Sequence, residues 1–192
     1  MFLYDHEVRN AKPSKPPGKG FNPPMIEGIE ICRGRLGFAS PETVCHNPKL
    51  LMKIFEESAR LDIPLSPEAE RLVKKSLHRF TEDFRTCASI IESFERILSA
   101  PGWGSDALNK MLDTGLLLRF IPEFKTIVNR IQYDAYHLYP VDKHSVRTVQ
   151  FLKNFNTPEG EGKEPLCRTL YAELADPQLL QWAGLLHDIG KG

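Results

Sequence analysis

The four cysteines of this chain, Cys32, Cys45, Cys87 and Cys167, stand far apart and make no C-x-x-C pair. Such spacing offers neither a zinc knuckle nor a disulfide framework, and free thiols in a reducing compartment are the simplest reading. Long apolar runs are missing as well. Nothing approaches the ~20 residues that a membrane span needs, and the N-terminus has no apolar signal-peptide core. A cytoplasmic protein without a membrane partner is therefore expected. An excess of charge is also lacking, because 25 Lys and Arg stand against 25 Asp and Glu in 192 residues. No global field argues for a nucleic-acid polymer, so partners must be sought in local sites. Neither strand-helix alternation nor an internal repeat is visible.

What is present is enough apolar material, 41% of the chain, to bury a sizeable core. Residues 1–24 include "NAKPSKPPGKGFNPP" and read as an extended linker. A short β element is expected over 25–46, where "MIEGIEI" and "RLGFA" flank "CRG" as a small hairpin with a glycine turn. An isolated hairpin of that size is marginal, so it should lean on the helices that follow. Residues 47–120 read as a helical linker bundle. Its helices open at Asn47-Pro48, Ser66-Pro67, Thr81 and Ser105, and Gly115 closes the fourth. Residues 121–192 form a second helical unit. It holds a fifth helix within "PEFKTIVNRIQYDAYH", a break at Pro140, a helix over 141–155, a loop, a short helix near 166–175 and a last helix capped by Asp176. The expected class is all-α, with a small N-terminal β-hairpin.

One constellation can carry chemistry. On the last helix Leu180, Ala183 and His187 recur at spacings of three and four, which puts His187 on the inward face, with Leu179, Leu186 and Ile189 widening the apolar stripe. Asp188 is rotated about 100° from it, so the two meet at one ion only if the helix end is distorted, which Gly190 makes easier. His144, with Thr148, Phe151, Leu152 and Phe155 following at inward spacing, is also core-directed. Two inward histidines and a carboxylate are ligand types for Zn, Fe, Mn or similar ions. Spacing alone leaves a second reading open, in which both histidines are buried and hydrogen-bonded to backbone or water.

The segment "HSVRTV" from His144, with "LLHDIGKG" at the chain end, resembles the HD superfamily of metal-dependent phosphohydrolases. The resemblance implies His144, His187 and Asp188 as metal ligands, with Asp188 and Lys191 in catalytic roles. It implies a divalent ion, Mn or Mg first, with Fe or Zn as further choices. Lys191 matches a lysine that can approach a phosphate oxygen as a point charge. Arg147, one turn from His144, is a second candidate phosphate contact, with an exposed helix charge as its plainer reading. The family's last aspartate lies downstream of the pair and has no counterpart before Gly192. The chain thus reads as an internal piece cut through an HD domain, expected to be inactive alone.

Further stretches, "NPKLLMKIFEESARL", "MLDTGLLLRFIPEF" and "IVNRIQYDAYHLYPVDKHSVRTV", resemble the middle of the bacterial PII uridylyltransferase/uridylyl-removing family. There a helical linker joins a nucleotidyltransferase domain to an HD domain, and ACT domains follow. The resemblance implies hydrolysis of the uridylyl-tyrosine bond on a PII signalling protein, the uridylylated form being the partner. No Gly-Ser…Asp-x-Asp signature is present, and the family's Y-T-V-D-E-H reads Y-P-V-D-K-H, with Pro140 and Lys143 expected to alter the loop more than the ligand. Another HD phosphodiesterase or nucleotide hydrolase, or a non-catalytic regulatory module, are the alternatives. Asp142 and Lys143 are expected as surface capping residues, His137 and Tyr139 as packing at the helix break, and Trp103 and Trp182 as core aromatics.

Overall fold

The computed structural model describes residues 26–100, 106–130, 140–155 and 164–191. The class is all-α with one two-stranded hairpin, as expected. Strands β1 (Ile29–Cys32) and β2 (Arg35–Phe38) pair antiparallel, with Ile29 opposite Phe38 and Cys32 opposite Arg35. Arg33 and Gly34 between them have φ of 50° and 72°, the two left-handed residues that a tight two-residue hairpin turn demands. The hairpin does lean on its neighbours. The Leu36 N–H donates to the Pro64 carbonyl (2.9 Å), the Ser66 N–H donates to the Leu36 carbonyl (2.8 Å), and the Leu36 side chain is fully buried.

Helices α1 (Pro41–His46), α2 (Leu50–Leu61) and α3 (Pro67–Ser76) follow. The expected β element to residue 46 is corrected here, because Ser40-Pro41 opens α1 by the serine-proline device that also opens α3. At α3 the Ser66 hydroxyl accepts from the Ala69 N–H at 3.1 Å. Asn47-Pro48 forms a turn instead of the first residues of α2. The single helix expected after Thr81 is split into α4 (Glu82–Arg85) and α5 (Ala88–Ser99). Helix α6 (Ala107–Thr114) ends at Gly115, whose φ of 86° is the left-handed cap foreseen there. Helix α7 (Leu116–Phe120) and a 3₁₀ segment (Pro122–Ile127) come next, the latter standing where the start of a fifth α-helix was expected. Residues 128–130 turn away from helical geometry, and the remainder of the expected helix, with His137 and Tyr139, lies outside the described residues, as do Trp103, Ser105 and the 1–24 linker.

The core runs between α2 and α5, where Phe55, Ile54, Phe94 and Ile97 are fully buried, and is closed by Phe124 below α7. Helix α8 (Val141–Asn154) joins through Val146 and Val149. After α9 (Pro165–Ala172), α10 (Pro177–Leu186) begins at Asp176, whose carboxylate accepts from the Gln178 N–H at 3.0 Å. Trp182 packs on Phe94 with ring centroids 5.1 Å apart, as a core aromatic should. Among the described residues no helix is long and apolar enough to cross a membrane.

Helix α8 is gripped on two sides. Toward α10, a Cβ built on Gly184 would stand 2.7 Å from Leu152 Cδ1 and 3.4 Å from Thr148 Cγ2, so the backbones approach as closely as they do because residue 184 has no side chain. Toward the bundle, three polar side chains of α8 reach out. Lys143 Nζ pairs with Asp113 Oδ1 at 2.5 Å, Gln150 donates to the Asp106 carboxylate, and Lys153 Nζ donates to the Ile97 carbonyl at 2.8 Å.

Two outcomes are expected. Gly184→Ala gains about 1 kcal/mol of helix propensity against a clash that Leu152 can relieve by rotating, and should be near neutral. Gly184→Val forfeits that gain and adds bulk toward Thr148 and Val149, so urea unfolding should register a loss of about 1–3 kcal/mol. Burial pushes the Lys153 ammonium down from 10.5 to about 8, against the opposing pull of the Asp106 charge. Between those values the native state has released a proton that the unfolded chain keeps. Stability should therefore rise with pH through that window, and Lys153→Met should flatten the rise in chemical unfolding curves.

Candidate metal centre

Helix α10 ends at Leu186, His187 and Asp188 form a turn, and a 3₁₀ segment (Ile189–Lys191) follows. That is the helix-end distortion the two side chains need to converge. The buried face of α10 runs through Gln181, Gly184 and Leu185 and continues to Asp188, one position off the expected stripe. Asp188 is therefore the buried partner, at 4%, while the His187 side chain is 38% exposed. The inward placement of His187, Ala183 and Leu179 is corrected accordingly. Gly184, which the apolar count overlooks, lies on the buried face, where Leu152, Thr148 and Val149 of α8 pack against it. An isolated glycine inside an apolar helix was the available signal.

Across from this turn, in the first turns of α8, His144 is half-buried, and its ring centroid lies 5.3 Å from that of His187. Ligand atoms of His144, His187 and Asp188 all fall within 4.8 Å of one another. His187 Nδ1 lies 2.9 Å from the Gly184 carbonyl, an acceptor only, so this nitrogen carries the hydrogen and donates. Nε2 then faces Asp188 Oδ1 at 3.3 Å. A nitrogen lone pair and a carboxylate oxygen at that distance call for a positive charge between or on them, either a proton or a metal ion. Lys191 Nζ stands 2.9 Å from the same Oδ1, while Asp188 Oδ2 is buried without a hydrogen-bond partner among the described residues. A buried carboxylate oxygen left bare is costly, of the order of 1–3 kcal/mol, and a cation would satisfy it. The residues present thus fit a divalent ion in both donor chemistry and convergence.

The neighbours sort differently from expectation. Asp142 is buried, and its carboxylate accepts from the Lys143 N–H at 2.9 Å, so it is no surface residue. Lys143 is occupied by Asp113. Arg147 is half-buried on α8. The 3₁₀ segment at Pro122–Ile127 backs the turn after Asp188, with the Thr126 hydroxyl 3.4 Å from the Ile189 carbonyl.

Residues 141–192 match the HD domain family. That match places residues 141–192 in the HD-domain class, and it takes in His144 near the start of α8 and the His187-Asp188 turn after α10. The similarity extends well beyond it. The chain is 34% identical over 86% of its length to the bifunctional uridylyltransferase/uridylyl-removing enzyme of Ruegeria pomeroyi. It is 37% identical over 64% of its length to the enzyme of that name from Methylococcus capsulatus, and 30% identical over 88% to that of Nitrosococcus oceani. The chain is a relative of these enzymes across most of its own residues, and it spans 18%, 14% and 19% of theirs. No solved structure matches it.

Lys191 is 40% exposed, whereas the Asp188 side chain it pairs with is 5% exposed. Lys191→Met leaves that buried carboxylate without its ammonium partner and should lower the stability of the metal-free chain by about 1–3 kcal/mol in thermal melts. An unchanged melt would mean that solvent screens the pair.

Proposed function

We propose that this chain contributes the metal-holding face of a phosphodiesterase that removes uridylyl groups from a tyrosine of a PII signalling protein. The observation that carries the reading is the convergence of His144, His187 and Asp188 with one carboxylate oxygen buried and bare. The similarity to the uridylyl-removing enzymes supports the substrate class.

His144 and His187 would each offer one imidazole nitrogen to the ion, and Asp188 a carboxylate oxygen. For His187 the free nitrogen is Nε2, because Nδ1 is held by the Gly184 carbonyl, a bond that fixes both tautomer and ring orientation. A divalent ion bound there supplies Lewis acidity, lowering the pKa of a water and polarising a phosphoryl oxygen. Lys191, tethered to Asp188 and partly exposed, would present its ammonium to a phosphate oxygen. Arg147, one turn along α8 from His144, is the second candidate for that charge. The leaving group in this chemistry is a tyrosine phenolate with a parent pKa near 10, so the residues need not provide a strong acid. Mn or Mg suits the carboxylate and the phosphate, and Fe or Zn the imidazoles.

Calorimetric titration of the apo-chain with Mn²⁺ tests the site. His144→Ala and Asp188→Asn should each weaken binding at least about tenfold, since each removes one of three ligands. Unchanged affinity in both variants would sink the assignment. In a uridylyl-removing enzyme carrying this region, the same substitutions should abolish UMP release from uridylylated PII. Persistent release would reject the catalytic roles.

A further inference from the structure

The three side chains that α8 extends toward the bundle form a pattern. Lys143, Gln150 and Lys153 lie seven and three residues apart, on one side of the helix. Thr148, Val149 and Leu152, which meet Gly184, lie on another. All three polar contacts run in one direction. The donors are on α8, and the acceptors are Asp113 and Asp106 at the two ends of α6 and the Ile97 carbonyl in the last turn of α5.

Asp106 is the telling member. It precedes α6 in left-handed conformation at φ 47°, a region that costs a non-glycine residue about 1–2 kcal/mol. An aspartate at a helix start ordinarily accepts from its own helix's amides, yet this one makes no side-chain capping bond. Its carboxylate instead accepts from Gln150 and from the Asn109 side chain at 2.5 Å. Asn109 belongs to α6 and Gln150 to α8, so this one carboxylate ties the start of α6 to α8. Lys153 repeats the point, since it gives up solvation to reach the Ile97 carbonyl. Apolar packing alone would bury α8 without fixing its rotation or register, whereas three directional bonds to fixed acceptors specify both.

We infer that this polar seam sets the position of α8, and with it the placement of His144 against His187 and Asp188, so that Asp106 and Gln150 are positioning residues for the metal centre. The bundle and the His-Asp turn then communicate through one helix gripped on opposite sides. A shift of α6 or α5 would be passed to His144 as a change in register. The inference rests on the proposed metal-holding role only for its consequence for affinity, since the placement of α8 is measurable without metal.

The test uses the whole chain with Gln150→Leu and Asp106→Gly. Glycine keeps the left-handed backbone without strain and deletes only the carboxylate, so fold stability should change little. Amide exchange of residues 141–147 in the metal-free variants should rise about tenfold, a local opening with most of the fold intact. Mn²⁺ affinity should fall about fivefold or more, the lower end of ordinary coupling. Reversing the exposed pair, Lys143→Asp with Asp113→Lys, should recover what either change loses singly, and it guards against a variant that fails to fold. Unchanged exchange over 141–147 in both seam variants would overturn the inference and reduce the seam to fold stability. If the unaltered chain bound no Mn²⁺, the metal reading would fail, and the exchange data would still decide the seam.

Discussion

The structure around the candidate site depends on the close approach of α8 and α10 at Gly184. With no side chain there, Leu152, Thr148 and Val149 sit against backbone, and the C-terminal end of α10 is delivered beside the first turns of α8. The backbone carbonyl of the same residue anchors His187, so the contact between the helices and the orientation of an imidazole meet at one position. The buried stripe that passes through Gly184 ends at Asp188, which explains why the carboxylate is enclosed and the histidine reaches the surface.

That arrangement separates two tasks among adjacent residues. Asp188 is held by burial and by Lys191, while His187 is held by a backbone hydrogen bond and remains accessible from outside. A ligand set with one protected member and one open member can bind an ion and still admit something else to it. The bundle meets α8 through Val146 and Val149 in the core and through the polar contacts of Lys143, Gln150 and Lys153, whereas α10 meets it through apolar packing around Gly184. Helix α8 is accordingly the element both halves of the structure share.

Much of the architecture was legible. Serine or aspartate followed by proline marked the starts of α3 and α10, glycine marked the end of α6, and the hairpin turn followed from "CRG". The same device at Ser40-Pro41 went unread because the β-prone run before it dominated the window. The break between α4 and α5 was invisible because apolar spacing continues across it. At the site, residue types and spacing left two readings open, and it was the resemblance to the HD pattern that singled out His144, His187 and Asp188. Their burial order was not legible, because counting apolar positions gives no weight to Gln181 and Gly184, which lie on the buried face of α10.

By itself, the amino-acid sequence determined the helical class and the positions of most helix starts, because these follow from local periodicity and capping chemistry, while His144, His187 and Asp188 stood out as candidates through their resemblance to the HD pattern. Tertiary structure alone decided that Asp188 is enclosed and His187 exposed, that Asp142 is buried, and that Asp106 ties its own helix to α8. Those outcomes depend on which surfaces come within a few ångströms of each other, and that distance is set by contacts between residues remote in the chain.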